Sequence, residues 1–287
     1  LFFEGLAFIG YLVVVWNDYE NFGSFVSVVF ISSVIPFLFI VWGLVLNNEA
    51  YVLIGFLFKL SFFPFLWWFP YLSSFLNFFL FYLFGIVNKV FPVFMIVFNH
   101  LVNVNVIFLV CVISIFISLI NLVGVQNDIK VFLAWSSNVN FGWIILVMSQ
   151  MWLGGSIYLF LYLVLISLIF LFMSESGFFF DQYYNNNASE VWILFFVVVS
   201  FLGMPPFLGF FYKYIMINSL VGFDYMQLST LILVVLIGLI TFNSFIYINI
   251  LFKINFLKKL FFFDSKMKVI FFIVFVYIVV SLSYVSF

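Results

Sequence analysis

The chain has 287 residues, of which 68% are hydrophobic and only 7% charged, with a formal net charge of −1. Soluble domains carry about 25% charged residues, and a mean hydropathy of +1.38 leaves too little polar surface to cover one. The composition excludes a soluble globular protein and reads as an integral membrane protein.

A membrane span needs about 20 apolar residues, and a lipid-facing backbone must be helical or part of a closed barrel. The apolar runs here are continuous rather than alternating, so helices are expected. In chain order they fall near 1–16, 22–46, 51–70, 74–98, 104–124, 131–150, 155–174, 189–220, 228–252 and 268–286. The expectation is an all-α polytopic membrane protein of about ten transmembrane helices, forming a single membrane-embedded helical domain over 1–287. The breaks are short polar clusters such as Asn17-Asp18-Tyr19-Glu20, Gln126-Asn127-Asp128 and Asn185-Asn186-Asn187, none long enough for a separate domain. No lysine precedes Lys59 and the chain has no arginine, so the first run lacks the basic region of a secretory signal or presequence and reads as a helix of the mature protein.

Lysines in short loops set orientation. Lys130 precedes the sixth run, and Lys253, Lys258, Lys259, Lys266 and Lys268 surround the link between the ninth and tenth. Both loops follow odd-numbered helices and so share one face, which puts both termini on the opposite, lysine-poor face. Trp67, Trp68 and Tyr71 suit an interface, where amphipathic rings settle.

Three lysines, Lys59, Lys89 and Lys213, lie inside apolar segments. Each costs about 2.5–3.5 kcal/mol at the centre of a membrane helix, so packing, water or a counter-charge must offset the burial. Snorkelling to the interface is the competing reading for any one of them. Prolines stand close to two: Pro92 follows Lys89, and Pro205-Pro206 precede Lys213. Proline removes a backbone donor and clashes with the preceding turn, so proline-broken helices are expected at both places, with a packing kink as the alternative. Broken helices at membrane depth recur where they line protein or water in ion-transport proteins. Cys111 and His100, the single cysteine and histidine, exclude a disulfide framework and read as a small buried residue and an interfacial hydrogen-bonding group, with proton relay as the alternative for His100. No glycine-rich phosphate loop, cysteine cluster or nucleophile triad is present, so no cofactor or metal site is expected in this chain.

Four stretches carry a resemblance. Lys59-Leu60-Ser61-Phe62-Phe63-Pro64-Phe65-Leu66-Trp67-Trp68-Phe69-Pro70 comes first. Asn88-Lys89 with Pro92, then Asp128-Ile129-Lys130 leading through Leu133-Ala134-Trp135-Ser136-Ser137 to Gly142-Trp143, and finally Met204-Pro205-Pro206-Phe207-Leu208-Gly209-Phe210 with Lys213, follow in order. Over about 59–213 the chain resembles the subunit 2 family of the NADH dehydrogenase of respiratory complex I, an antiporter-like membrane subunit.

The resemblance implies an antiporter-like bundle in the mitochondrial inner membrane, a multi-pass subunit that translocates protons along a mid-membrane chain of buried Lys, Glu and water. Glu4 is the favoured match for the family's glutamate, with Glu20 as the alternative. It implies Lys59 as the paired, switchable base, Lys89 as the bridging relay and Lys213 as the site linked to release. Burial disfavours the charged form of an amine and a nearby carboxylate favours it, so moving Glu4 relative to Lys59 would move a proton. Ser136, Ser137, Asn138 and Asn140 would hydrate the path, with helix–helix hydrogen bonding as the alternative. Asn140 stands where many relatives have histidine, and an amide cannot change charge near neutral pH. Partners implied are other membrane-arm subunits and the lipid bilayer, with no nucleic acid and no direct NADH binding. Flavin and iron–sulfur clusters would belong to other subunits, so enzyme status comes from the assembly. A free-standing secondary cation/proton antiporter and a non-pumping structural membrane subunit are the alternatives.

Overall fold

The computed structural model describes residues 30–74, 81–98, 104–125, 128–173, 198–203, 208–221 and 230–253. The expected spans 1–16 and 268–286, with Glu4, Glu20, His100, Pro205, Pro206 and the lysines beyond Lys253, lie outside the described residues.

Every extended element among the described residues is a helix. A π-turn at Phe30–Val34 leads into α1, Ile35–Val45, whose Pro36 sits in the first turn, where its missing N–H has no helical partner to lose. α2 spans Glu49–Leu60 and is started by Asn48, whose side chain accepts from the Ala50 N–H at 3.0 Å. α1 packs along α2.

The expected span 51–70 is not one helix. α2 stops at Leu60 because Ser61 turns into the left-handed region, φ 54° and ψ 51°. The Phe62 N–H then reaches the Leu57 carbonyl at 3.0 Å and the Ser61 N–H the Phe58 carbonyl at 3.0 Å, a double closure that satisfies carbonyls left open by the helix end. The short α3, Trp68–Ser73, follows. Its first residue is tied back to α2 by Trp68 Nε1 donating to the Phe58 carbonyl at 2.7 Å. Trp67 and Tyr71 are exposed as expected, but Trp68 is buried because that hydrogen bond and its stack on Phe58 draw it inward.

A π-turn at Leu83–Val87 runs into α4, Asn88–Phe98, and the helix continues through Pro92. α5 covers Val104–Gly124 and α6 Ile129–Gln150. α7 covers Trp152–Met173, α8 Leu208–Val221 and α9 Thr230–Lys253. Among the described residues, Asn105–Gly124 and Ile129–Gln150 are long and apolar enough to cross a membrane, whereas Ser32–Val45, Gly85–Phe98, Trp152–Ser167 and Val234–Ile250 form shorter apolar stretches.

The two long helices differ in their surroundings. α5 buries Cys111, Ser114, Ile115, Ser118, Leu119 and Leu122, a three-four spacing that makes one stripe, and exposes Leu109, Phe116 and Ile120 on the other side. α6 is enclosed, with only Val131 partly exposed between Ile129 and Met148. It packs against α3, α4, α5, α7 and α8 and is the axis of the described bundle. Lys130, expected in an exposed loop, is buried because it stands in the first turn of this enclosed helix.

Candidate functional site

The site is built around α6, where one helical turn offers polar groups in two directions. Successive residues are rotated by about 100°, so Asn138 and Asn140 project on nearly opposite sides. Asn138 faces Lys89 and Asn140 faces Tyr158.

Lys89 is completely buried. Its ammonium donates to Asn138 Oδ1 at 2.6 Å and to Ser61 Oγ at 3.1 Å, and its Nζ lies 4.1 Å from the Phe69 ring centroid and 5.6 Å from that of Phe141. Two acceptors and an aromatic face thus surround a group with three donors. The Ser61 hydroxyl has one proton and two acceptors in reach, Asn138 Oδ1 at 2.7 Å and the Leu60 carbonyl at 2.5 Å.

Local structure explains this convergence. The left-handed turn at Ser61 delivers its hydroxyl to Lys89, and a left-handed conformation at a residue bearing a Cβ costs about 1–2 kcal/mol. Gly85, one turn before Lys89, lets Phe69 approach, since a Cβ there would collide with the ring. The π-turn spanning Gly85 lies immediately before Asn88-Lys89, a placement π-turns often take beside functional groups. Lys59 is half-buried in the last turn of α2, two residues before Ser61.

Lys213 occupies a separate position on α8, also buried. Its Nζ donates to the Leu202 carbonyl at 2.6 Å, at the end of the helical residues 198–202. Gly203, at φ 79°, ends that segment, and a Cβ on it would stand 2.7 Å from Lys213 Cδ, so its lack of a side chain makes room for the lysine stem. A helix C-terminus carries partial negative charge on its open carbonyls, a favourable place for an ammonium.

Tyrosines gather beside Asn140 and beside the segment that holds Lys213. Tyr158 donates to Asn140 Oδ1 at 3.1 Å and stacks on Tyr212 with centroids 4.9 Å apart. Tyr212, next to Lys213 in the chain, donates to the Phe201 carbonyl at 3.3 Å. The Tyr162 ring meets Phe141 edge-on at 5.5 Å, so Phe141 neighbours both Lys89 and Tyr162. Tyr247, from α9, stacks on Phe201 at 5.5 Å and meets Phe132 edge-on at 5.6 Å.

Of the residues singled out by sequence, Lys89 and Lys213 are sealed within the bundle, while Lys59 is partly open. Ser136 and Ser137 donate to the Leu133 and Ala134 carbonyls of their own helix, so neither hydroxyl proton is directed at a lysine. Asn140 uses its amide N–H on the Ser136 carbonyl at 2.8 Å and its oxygen on Tyr158. Ser61, Phe69 and the four tyrosines were not singled out as site residues. Only the position of Ser61 within the Lys59-to-Pro70 stretch, and Tyr212 beside Lys213, could have pointed to any of them.

The fold and these buried cations define a helical membrane protein with ionisable groups in its interior rather than on its surface. Residues 19–241 match the family described as NADH:quinone oxidoreductase/Mrp antiporter, TM, and the chain belongs to that family. Similar curated proteins are all named NADH-ubiquinone oxidoreductase chain 2. That of Aedes aegypti is 30% identical over 182 residues, covering 61% of this chain and 51% of the relative. That of Anopheles albimanus is 33% identical over 132 residues, covering 44% and 76%. That of Anopheles gambiae is 30% identical over 167 residues, covering 55% and 48%. The chain thus spans about half the length of the Aedes aegypti and Anopheles gambiae relatives.

Proposed function

We propose that the chain is a proton-translocating membrane-arm subunit of respiratory complex I, the NADH:ubiquinone oxidoreductase, in the mitochondrial inner membrane. One observation carries the reading. Lys89 is buried in apolar surroundings yet held by Asn138, Ser61 and the Phe69 face, an expensive arrangement that a merely structural helix contact would avoid by using an apolar residue. The names of the relatives support the particular complex, and the family match supports the antiporter-like class.

In this reading the chain is one membrane-embedded domain of about ten helices, with a proline-broken segment at Pro205-Pro206 before Lys213. Its lysines hold and release protons. Lys59, paired with Glu4 or with Glu20, is the switchable base, Lys89 the bridging relay and Lys213 the site linked to release. Ser136, Ser137 and Asn140 contribute lone pairs to a hydrated path. Its partners are the other membrane-arm subunits and lipid. Flavin and iron–sulfur chemistry, and NADH binding, reside in other subunits.

Two measurements test this. Solubilised native membranes run on a non-denaturing gel, stained for NADH dehydrogenase activity, should contain the chain at stoichiometric level in the active band. Lys89→Met and Lys213→Met should lower protons pumped per NADH oxidised within that complex. Absence from the band with the chain present elsewhere would favour a free-standing antiporter, and unchanged pumping in both variants would favour a structural subunit.

A further inference from the structure

Lys89 and Lys213 belong to one path only if something carries a proton between them. Phenols make the contacts that lead from Asn140 on α6 to the segment that holds Lys213. Tyr158 and Tyr162 come from α7, Tyr212 from α8 and Tyr247 from α9, and none is more than 1% exposed. Ring contacts connect them: Tyr158 stacks on Tyr212, Tyr247 stacks on Phe201, whose carbonyl accepts from Tyr212, and Tyr162 meets Phe141 beside Asn140 in the chain.

The bonding of the four is uneven. Tyr158 and Tyr212 donate to Asn140 Oδ1 and the Phe201 carbonyl. Among the described residues, the Tyr162 and Tyr247 hydroxyls close no hydrogen bond, and neither does Asn138 Nδ2 on the Lys89 side. Buried polar groups without partners are costly and ordinarily hold water or serve chemistry. The chain contains 50 phenylalanines, and phenylalanine would fill the same ring positions without a stranded oxygen.

We propose that the hydroxyls of Tyr158, Tyr162, Tyr212 and Tyr247 form the proton-passing link between Lys89 and Lys213. The inference rests on the proton-translocation reading above and specifies the residues that join its two buried lysines. At each phenol a proton arriving from the Lys89 side, through bridging water, bonds to the oxygen lone pair. The O–H bond already present breaks and its proton leaves toward the next oxygen. Each phenol gains one proton and loses one, stays neutral, and resets by rotating its hydroxyl. The last transfer is to the Lys213 amine. Asn140 takes no proton and holds Tyr158 in register. Phe141, which neighbours both Lys89 and Tyr162, is the apolar step that bridging water must pass.

The test is made in the assembled complex in its native membrane, as protons pumped per NADH oxidised, with Lys213→Met as control. Tyr162→Phe and Tyr247→Phe each delete one oxygen and keep the ring. The paired substitution should lower the ratio toward that of Lys213→Met, stopping short of it where water partly substitutes. Tyr158→Phe should lower it as well, and adding Asn140→His should restore pumping, since an imidazole both accepts and donates. Because the readout is a ratio, reduced assembly does not imitate the effect, and each single variant is scored independently. Normal ratios in the Phe variants with a lowered ratio in Lys213→Met would overturn the tyrosine link and leave the proton-translocation reading standing. A loss that Asn140→His does not restore would assign Tyr158 to packing and also overturn the link as drawn. A normal ratio in Lys213→Met would remove the underlying reading itself.

Discussion

Replacing Asn138 by leucine removes the oxygen on which both Lys89 and Ser61 converge, at 2.6 and 2.7 Å, while keeping the branched four-atom side-chain skeleton at a fully buried position. A hydrogen bond to a charged group contributes about 1.5–3 kcal/mol. The Ser61 bond is largely recovered, because its proton can turn to the Leu60 carbonyl. Leucine also abolishes the unpaired Nδ2, which offsets about 1 kcal/mol of the loss. The net destabilisation should be about 1–2 kcal/mol with Lys89 present. In a Lys89→Met background the amide has no ammonium to serve, so Asn138→Leu should be neutral or mildly stabilising. The coupling energy across the double-mutant cycle is then about 1.5–3 kcal/mol. Half-lives of thermal inactivation, measured on the solubilised complex for the four versions, read this as a shortening of about tenfold in one background and none in the other. Equal shortening in both backgrounds would refute the claim that Asn138 holds the Lys89 ammonium.

Substitutions at three further positions probe the supports of the site. Gly85→Ala drives a Cβ into the buried Phe69 ring and should destabilise by about 1–3 kcal/mol, lowering accumulation of the chain, with partial recovery when Phe69→Leu is added. Ser61→Gly and Ser61→Ala both lose the hydroxyl, but only glycine occupies φ 54° without strain; the glycine variant should melt later by about 1 kcal/mol, and identical melting would contradict the left-handed turn. Gly203→Ala places a Cβ 2.7 Å from Lys213 Cδ at φ 79°, so it should reduce stability by about 1–3 kcal/mol and lower the pumping ratio by pushing Lys213 off the Leu202 carbonyl.

Composition and continuous apolar runs were enough to read an all-helical membrane protein, because a chain this poor in charge can satisfy its backbone in hydrocarbon only by helices or a closed barrel. The run 104–124 matches α5, Val104–Gly124, since an uninterrupted apolar stretch flanked by polar clusters has nowhere else to end. Lys89 and Lys213 stood out for the same reason: an isolated cation in such a run has no apolar explanation. Hydropathy could not show that 51–70 divides at Ser61, because the division rests on one left-handed residue and two backbone hydrogen bonds rather than on polarity. It also misread Lys130, whose burial follows from the neighbours packed around α6. The pairing of Lys89 with Ser61 and Asn138 joins residues 28 and 49 positions apart, a juxtaposition made by chain reversal and helix packing. The tyrosine cluster is the clearest case. In sequence Tyr158, Tyr162, Tyr212 and Tyr247 are four aromatic residues among many, and only the packing of α7 and α8 on each other and on α6, with Tyr247 of α9 set against Phe132 and Phe201, buries them together, where a polar atom must find a partner or serve a purpose.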